Sequence, residues 1–267
     1  MTEQLSDDDR PLVLSSRKGD VVTLTLNRPE ALNATVPGMV PALALAFDHA
    51  VDSGARAIVL TGSGRAFCAG AFLKGGGQKP GEKDMGEGLE KILNPLIEKL
   101  LTIPVPIVSA INGPAVGAGV GLALVGDILI AAKSAYFMLA FSKVGLVADA
   151  GLTWQLPRLV GRQRALEMMY LAEKVPADEA HRIGMVNRVV DDGDLEAVAA
   201  DIAARIAAGP TATYAAIRQG VKRSLESDLA ASLTQEAAAQ RAAGFRADFV
   251  EGVMAFAEKR PARFVGR

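Results

Sequence analysis

The chain has 267 residues, half of them hydrophobic, with a formal net charge of −1 and a mean hydropathy of +0.23. A sizeable core is within reach, and basic and acidic residues mix along the chain, so no dedicated nucleic-acid surface is expected. One cysteine, Cys68, excludes an internal disulfide framework and suits a reducing cytoplasm; the separated His49 and His181 exclude a histidine-based metal site; and MTEQLSDDDR is too acidic for a signal or transit peptide.

Residues 21–27 alternate with period two, placing Val22, Leu24 and Leu26 on one face of a strand. Arg28-Pro29-Glu30 breaks it. Val36, Val40, Leu43, Phe47 and Val51 recur at helical spacing, with Pro37 tolerable in a first turn. Residues 57–61 form a short apolar strand closed by Gly62-Ser63-Gly64, and the glycine-rich, charged run 75–88 reads as a mobile loop. Leu89, Ile92, Leu93, Leu96 and Leu100 mark a helix with Pro95 as a kink or restart. A buried strand covers 105–111, a helix runs from near Gly117 to about Val125, and strands follow at 128–132 and around 137–140. Helices are expected at 150–159, 162–171 and 177–183, a last strand at 186–190, and a helix at 195–208 stopped by Gly209-Pro210. Residues 211–259 read as helical throughout. Strands alternating with helices, then helices alone, give an α/β core over residues 1–208 and a helical appendage over 209–267.

The stretch AVGAGVG (115–121) lies inside the uncharged run 100–126. That run is long enough for a membrane span. Pro104, Pro106, Asn112, Gly113 and Pro114 break it, so a strand, a turn and a short buried helix explain it better, and no membrane association is expected. Walker spacing fails for want of Lys-Ser or Lys-Thr, and a dinucleotide fingerprint fails because Asp127 comes too early. A helix start remains, where backbone N–H groups without internal partners can meet a ligand oxygen. GRAFCAGAF (64–72) repeats this character after another strand. Two such turns can supply two N–H donors to one developing oxyanion.

The chain resembles the crotonase superfamily, the enoyl-CoA hydratase and isomerase group. The stretches that carry the resemblance are LNRPEALNA (26–34), GSGRAFCAGAFLK (62–74), IPVPIVSAINGPAVGAGVGLALVGD (103–127), FSKVGLVADAGLTWQLPRLVG (141–161), AHRIGMVNRVV (180–190) and EGVMAFAEKRPARF (251–264). They stand in order and cover nearly the whole chain. The resemblance implies a repeated ββα spiral core and a C-terminal helical region that mediates trimerisation, often to a dimer of trimers. It implies an acyl-CoA thioester as ligand, with coenzyme A part of the substrate and no further cofactor. By position, the oxyanion hole falls on the N–H groups of Ala71 and Ala118, beside Ala69 and Gly117.

In the family's hydratases two glutamates handle water and proton. Those positions align here with Gly121 and Phe141, neither of which moves a proton, so the resemblance implies weak or absent hydration. Asp149, in GLVADAG, matches an acidic residue carried by the dienoyl-CoA isomerases and by the ring-epoxide isomerases of phenylacetate breakdown. A single base suffices for a 1,3-proton shift. An apolar setting of Phe137, Phe141, Val147 and Trp154 would raise its pKa towards neutrality. Two other readings of Asp149 stand: a plain cap for the helix that follows, and a nucleophile as in the family's aryl-CoA dehalogenases. A non-catalytic acyl-CoA-binding protein is a third possibility for the whole chain.

For coenzyme A, Arg28 and the Ala31–Leu32 backbone resemble the family's nucleotide and pantetheine contacts, and Lys74 a phosphate contact. Phe256 and Lys259 resemble residues lent by a neighbouring subunit. Cys68 reads as a small buried apolar residue, and both histidines as structural. Phe137 and Phe141 share one face if their segment is a strand, and would then wall the acyl pocket. Two departures bear on substrate: Phe72 stands where the family has Asp, and Leu152 where it has glycine.

Overall fold

The computed structural model describes residues 10–72, 81–82 and 84–267. The chain opens with β1 (Val13–Lys18) and β2 (Val21–Leu26), then α1 (Met39–Asp52), β3 (Ala57–Gly62) and the single turn α2 (Met85–Gly88). A π turn over Leu89–Leu93 leads into α3 (Asn94–Leu100), followed by β4 (Ile107–Ile111), β5 (Ala115–Val116), α4 (Ala118–Leu124), β6 (Ile128–Ala132) and β7 (Tyr136–Met138). After a 3-10 turn at Ala140–Val144 come α5 (Leu152–Val160), α6 (Arg162–Leu171), β8 (Val175–Pro176), α7 (Ala177–Arg182), β9 (Arg188–Val190) and α8 (Leu195–Ala207). The chain ends in α9 (Thr211–Ser224), α10 (Leu229–Gly244) and α11 (Ala247–Ala257).

Six strands form one sheet in the order β1-β2-β3-β4-β6-β9, parallel except for the antiparallel edge pair β1–β2. Every residue of β4 is buried, as parallel strands covered on both faces require. A smaller sheet, β5-β7-β8, lies beside it. Its first strand leads straight into α4, all seven residues of which are buried. The C-terminal region is tied back by Arg218 of α9. Its guanidinium pairs with Asp127 at 2.6 Å and donates to the carbonyls of Leu100 and Ile103. Arg56 likewise reaches Gly209 O at 2.6 Å and Thr211 Oγ1 at 3.1 Å.

Several boundaries differ from the sequence expectations. The exposed strand β1 was not expected: VLSSRK has no alternation to show, since one neighbour and solvent on both faces leave its side chains unconstrained. Pro37 lies outside α1, whose cap is Gly38. Met85–Gly88 is a helical turn rather than loop, because the Asp84 carboxylate accepts the Gly86 N–H; the rest of that expected loop falls largely outside the described residues. At Pro95 the helix restarts: α3 begins at Asn94 with Pro95 in its first turn, directly after the π turn. Among the described residues, no helix is long and apolar enough to cross a membrane.

Candidate active site

Two backbone turns meet at the C-terminal ends of β3 and β4. The Phe67 and Cys68 N–H groups both donate to Pro114 O, and Val116 N–H donates to Cys68 O at 2.9 Å. The contact is backbone on backbone. A Cβ on Gly70 would sit 2.5 Å from Val116 O and 3.2 Å from Ala118 N, and one on Gly119 would sit 2.9 Å from the Cys68 carbonyl carbon. Only glycine permits this approach. Gly117, at φ 55°, donates to Met138 O and turns the chain into α4. Among the described residues, the N–H groups of Ala71 and Ala118 have no protein acceptor. Ala71 directly follows Gly70 of the crossing, and Ala118 lies between Gly117 of the turn and Gly119 of the crossing.

The loop after β2 clamps the first of these turns. Ala69 N–H donates to Leu32 O and Thr35 N–H to Gly70 O. Leu32 and Asn33 both take positive φ, 52° and 54°, as this crowded loop demands. Asn33 is fully buried: its Oδ1 accepts the Arg28 N–H, and its Nδ2 donates to Ser63 O and Ala66 O. Sequence reasoning missed this residue; an asparagine two positions after an alanine gives no sign of partners thirty residues away.

Asp149 lies in the loop between the Ala140–Val144 turn and α5. It is half-buried, and its Oδ1 is shut off from solvent with no hydrogen-bond partner. Burial pushes its pKa up from 3.8 to about 6, a rise tempered by its own backbone N–H. The helix-cap reading fails: the N-cap of α5 is Gly151, and no side chain accepts there. The aromatic expectations need correction. Phe137 is wholly buried in β7, between Ala115 and Val175. Phe141 lies on the 3-10 turn, so the two do not share a strand face. Phe141 alone approaches the cradle, its ring 3.8 Å from where a Gly117 Cβ would stand. Val147 is 86% exposed and does not shield Asp149. Trp154 packs under the Arg158 guanidinium, 4.3 Å from its ring centre. Leu152 is buried, while Phe72, beside Ala71, is 41% exposed.

Burial pushes the Cys68 thiol up to about 11, which makes it a poor nucleophile. His49 lies on α1, and His181 Nδ1 is engaged by Val186 O at 2.8 Å. Among the described residues no cluster of three or more His, Cys, Asp or Glu could hold a metal. A cleft of about 280 Å³ opens elsewhere, along α6 and α7, but its walls mix Arg164, Lys174 and Arg182 with Glu167, Glu173 and Glu179, so no charge prevails.

Residues 16–267 match the sequence pattern of enoyl-CoA hydratase/isomerase. A protein of Rhodobacter capsulatus named probable enoyl-CoA hydratase is 45% identical, over 92% of this chain and 95% of its own. The 1,2-epoxyphenylacetyl-CoA isomerase of Escherichia coli is 43% identical, over 96% and 98%. The crystal structure of enoyl-CoA hydratase from Bacillus anthracis superimposes with a TM-score of 0.89 at 30% identity, covering 96% of this chain and all of that one. The chain belongs to the enoyl-CoA hydratase/isomerase family. Its fold is the crotonase fold, and the family acts on acyl-CoA thioesters.

The residues expected to hold coenzyme A in this family member are placed unevenly. Ala31 and Leu32 stand half-buried beside the Ala69 turn. Arg28 is 9% exposed, and its guanidinium is already spent on the carbonyls of residues 10, 11 and 27, with Glu30 at 3.8 Å. That side chain holds the loop rather than reaching outward. Phe256 and Lys259 stand exposed at the end of α11. Lys74 lies outside the described residues.

Proposed function

We propose that this enzyme is an acyl-CoA isomerase that shifts a double bond, or rearranges an aryl epoxide, with Asp149 as its single base. The thioester oxygen would accept from the N–H groups of Ala71 and Ala118. In a 3-enoyl substrate the carboxylate takes a proton from the carbon next to the thioester. The electron pair moves onto the oxygen as an enolate, and the same acid returns the proton two carbons along as the enolate collapses. The observation that carries this reading is the carboxyl oxygen of Asp149, buried and left without a partner. A pKa near 6 suits a base for carbon acids at neutral pH. The absence of a carboxylate at Gly121 and Phe141 supports isomerisation over hydration, and similarity to the Escherichia coli isomerase supports an aryl or unsaturated acyl group.

The test is incubation of the protein and Asp149→Asn with 3-enoyl-CoA and 2-enoyl-CoA in deuterated water. Isomerisation or exchange that falls about 10³- to 10⁴-fold in the variant is expected for the loss of a sole base. A product bearing a new hydroxyl would instead make the protein a hydratase, and released free acid or halide would make Asp149 a nucleophile. Binding without turnover would leave only an acyl-CoA-binding protein.

We also propose that α9 to α11 assemble the chain into a trimer or a dimer of trimers. Ile217, Val221, Leu229, Leu233, Phe249 and Val253 are each more than half exposed, an apolar area that a lone chain leaves in water. Phe256 and Lys259 would then reach a neighbour's coenzyme A. A single monomeric species in sedimentation equilibrium at micromolar concentration would remove this proposal.

A further inference from the structure

The loop that carries Asp149 closes in an unusual way. Asp149 O accepts the Leu152 N–H at 3.0 Å, and the two residues between, Ala150 and Gly151, have φ of 51° and 73°. This is a mirror-image turn, of the kind filled by glycine and asparagine. Alanine is disfavoured there because its Cβ crowds the following carbonyl. Gly151 meets the demand at its position and Ala150 does not.

The Ala150 methyl is nonetheless buried, at 1% exposure, against α4. It rests on Gly121. A Cβ on Gly121 would lie 2.6 Å from Ala150 O and 3.2 Å from its carbonyl carbon, and would press still closer on the methyl itself. From the other side, the buried Gln155 Nε2 reaches Ala150 O at 3.4 Å, and Ile97 of α3 closes on Gly151. A strained residue that packing holds in place on this scale points to a site whose geometry matters.

We infer that Ala150, seated in the notch left by Gly121, holds the mirror-image turn against α4 and so aims the Asp149 carboxyl into the site, which makes Ala150 and Gly121 positioning residues. The inference rests on the isomerase reading for its catalytic consequence, but its structural half stands alone. The charged side chains on the elements packed around this turn are Glu98 and Lys99 of α3, Lys143 of the 3-10 turn and Arg158 of α5; α4 carries none. Lys99 is paired with Asp48 and Arg158 covers Trp154. Among the described residues none forms an ion pair with Asp149. Shielding from water, set by how the turn is seated, therefore governs the carboxyl.

The decisive variant is Ala150→Gly. Glycine suits the backbone, so the protein is expected to fold, with relief of strain and loss of a buried methyl acting in opposite directions on its melting temperature. If Ala150 only fills space, the Asp149 carboxyl and its chemistry will not change. If it aims the carboxyl, ¹³C-detected titration of Asp149 moves from near 6 in the wild type down by about one pH unit as water gains access. The kcat for exchange falls about 10-fold with KM unchanged, and the acid limb of the pH profile follows the carboxyl. Gly121→Ala pushes the turn from the opposite side and should move the titration the same way. An unchanged midpoint and unchanged kcat in Ala150→Gly overturn the inference. Should Asp149→Asn retain full exchange, the isomerase reading fails, while the carboxyl titration still decides whether Ala150 aims the side chain.

Discussion

Asp149 and Asp248 show two uses of a carboxylate taken out of water. Asp248, near the start of α11, is 3% exposed, and its two oxygens accept the N–H groups of Val265 and Gly266 at 2.7 and 2.9 Å. The Asp248 N–H returns a bond to Arg267 O, so the C-terminal tail is strapped along the helix. Asp127 is satisfied in the same manner, by the Ile107 N–H and the Arg218 guanidinium. Asp149 has a buried oxygen and nothing to bond to it. Where these carboxylates hold the fold their oxygens are filled; the Asp149 oxygen is left wanting, and that difference is what the isomerase proposal draws on.

This contrast can be broken by experiment. The largest effect expected is the loss of exchange in Asp149→Asn, about 10³-fold or more, with the fold intact. Next is Asp127→Ala, which removes the acceptor of the Ile107 N–H and the charge partner of Arg218, whose bonds to the Leu100 and Ile103 carbonyls remain, and should cost about 2–3 kcal/mol in urea unfolding. Asp248→Ala leaves two tail N–H groups without acceptors, and a loss of about 2–3 kcal/mol is expected. Neither substitution touches the turn at Ala150, so activity measured well below the unfolding transition should survive both.

The smallest effect has the opposite sign. The Asp149 carboxyl titrates near 6 in the folded chain and near its usual 3.8 when unfolded. Below about pH 4 both states hold the proton and the group costs nothing. Between about pH 4 and 6 the unfolded state sheds the proton that the folded state still holds, so stability falls across that window and levels off above it. Asp149→Asn should therefore stabilise the protein by about 1–2 kcal/mol at pH 8 and by almost nothing at about pH 3. A variant equally stable at both values would remove Asp149 from the class of strained, functional groups.

Much of this was legible in the sequence, for physical reasons that differ by element. β6 (Ile128–Ala132) and α6 (Arg162–Leu171) fall where the sequence reading put them: β6 is a short apolar run buried on both faces, and α6 sits between Gly161 and the left-handed Ala172 and buries Ala165 and Met168. The strands β5 and β8 are only two residues long, too short to show a period. The convergence of the glycine turns was readable, since bare backbone after two strands has few other uses. Asp149 was readable as a candidate, but its cap and base readings were not separable until the cap of α5 proved to be Gly151. The pairing of Asp127 with Arg218, 91 residues apart, left no local trace. The strained turn at Ala150 left none either, because an alanine between Asp and Gly looks ordinary until its φ is known.

One more consequence follows from Asn33. Its amide stitches the loop after β2 to the segment that ends in the Ala69 turn, through three main-chain bonds and the Ser63 hydroxyl, which donates to its Oδ1 at 3.3 Å. Phe72, Phe141 and Leu152 take no part in that stitch. Side chains at those three positions can therefore change without loosening the junction at which the two glycine turns meet.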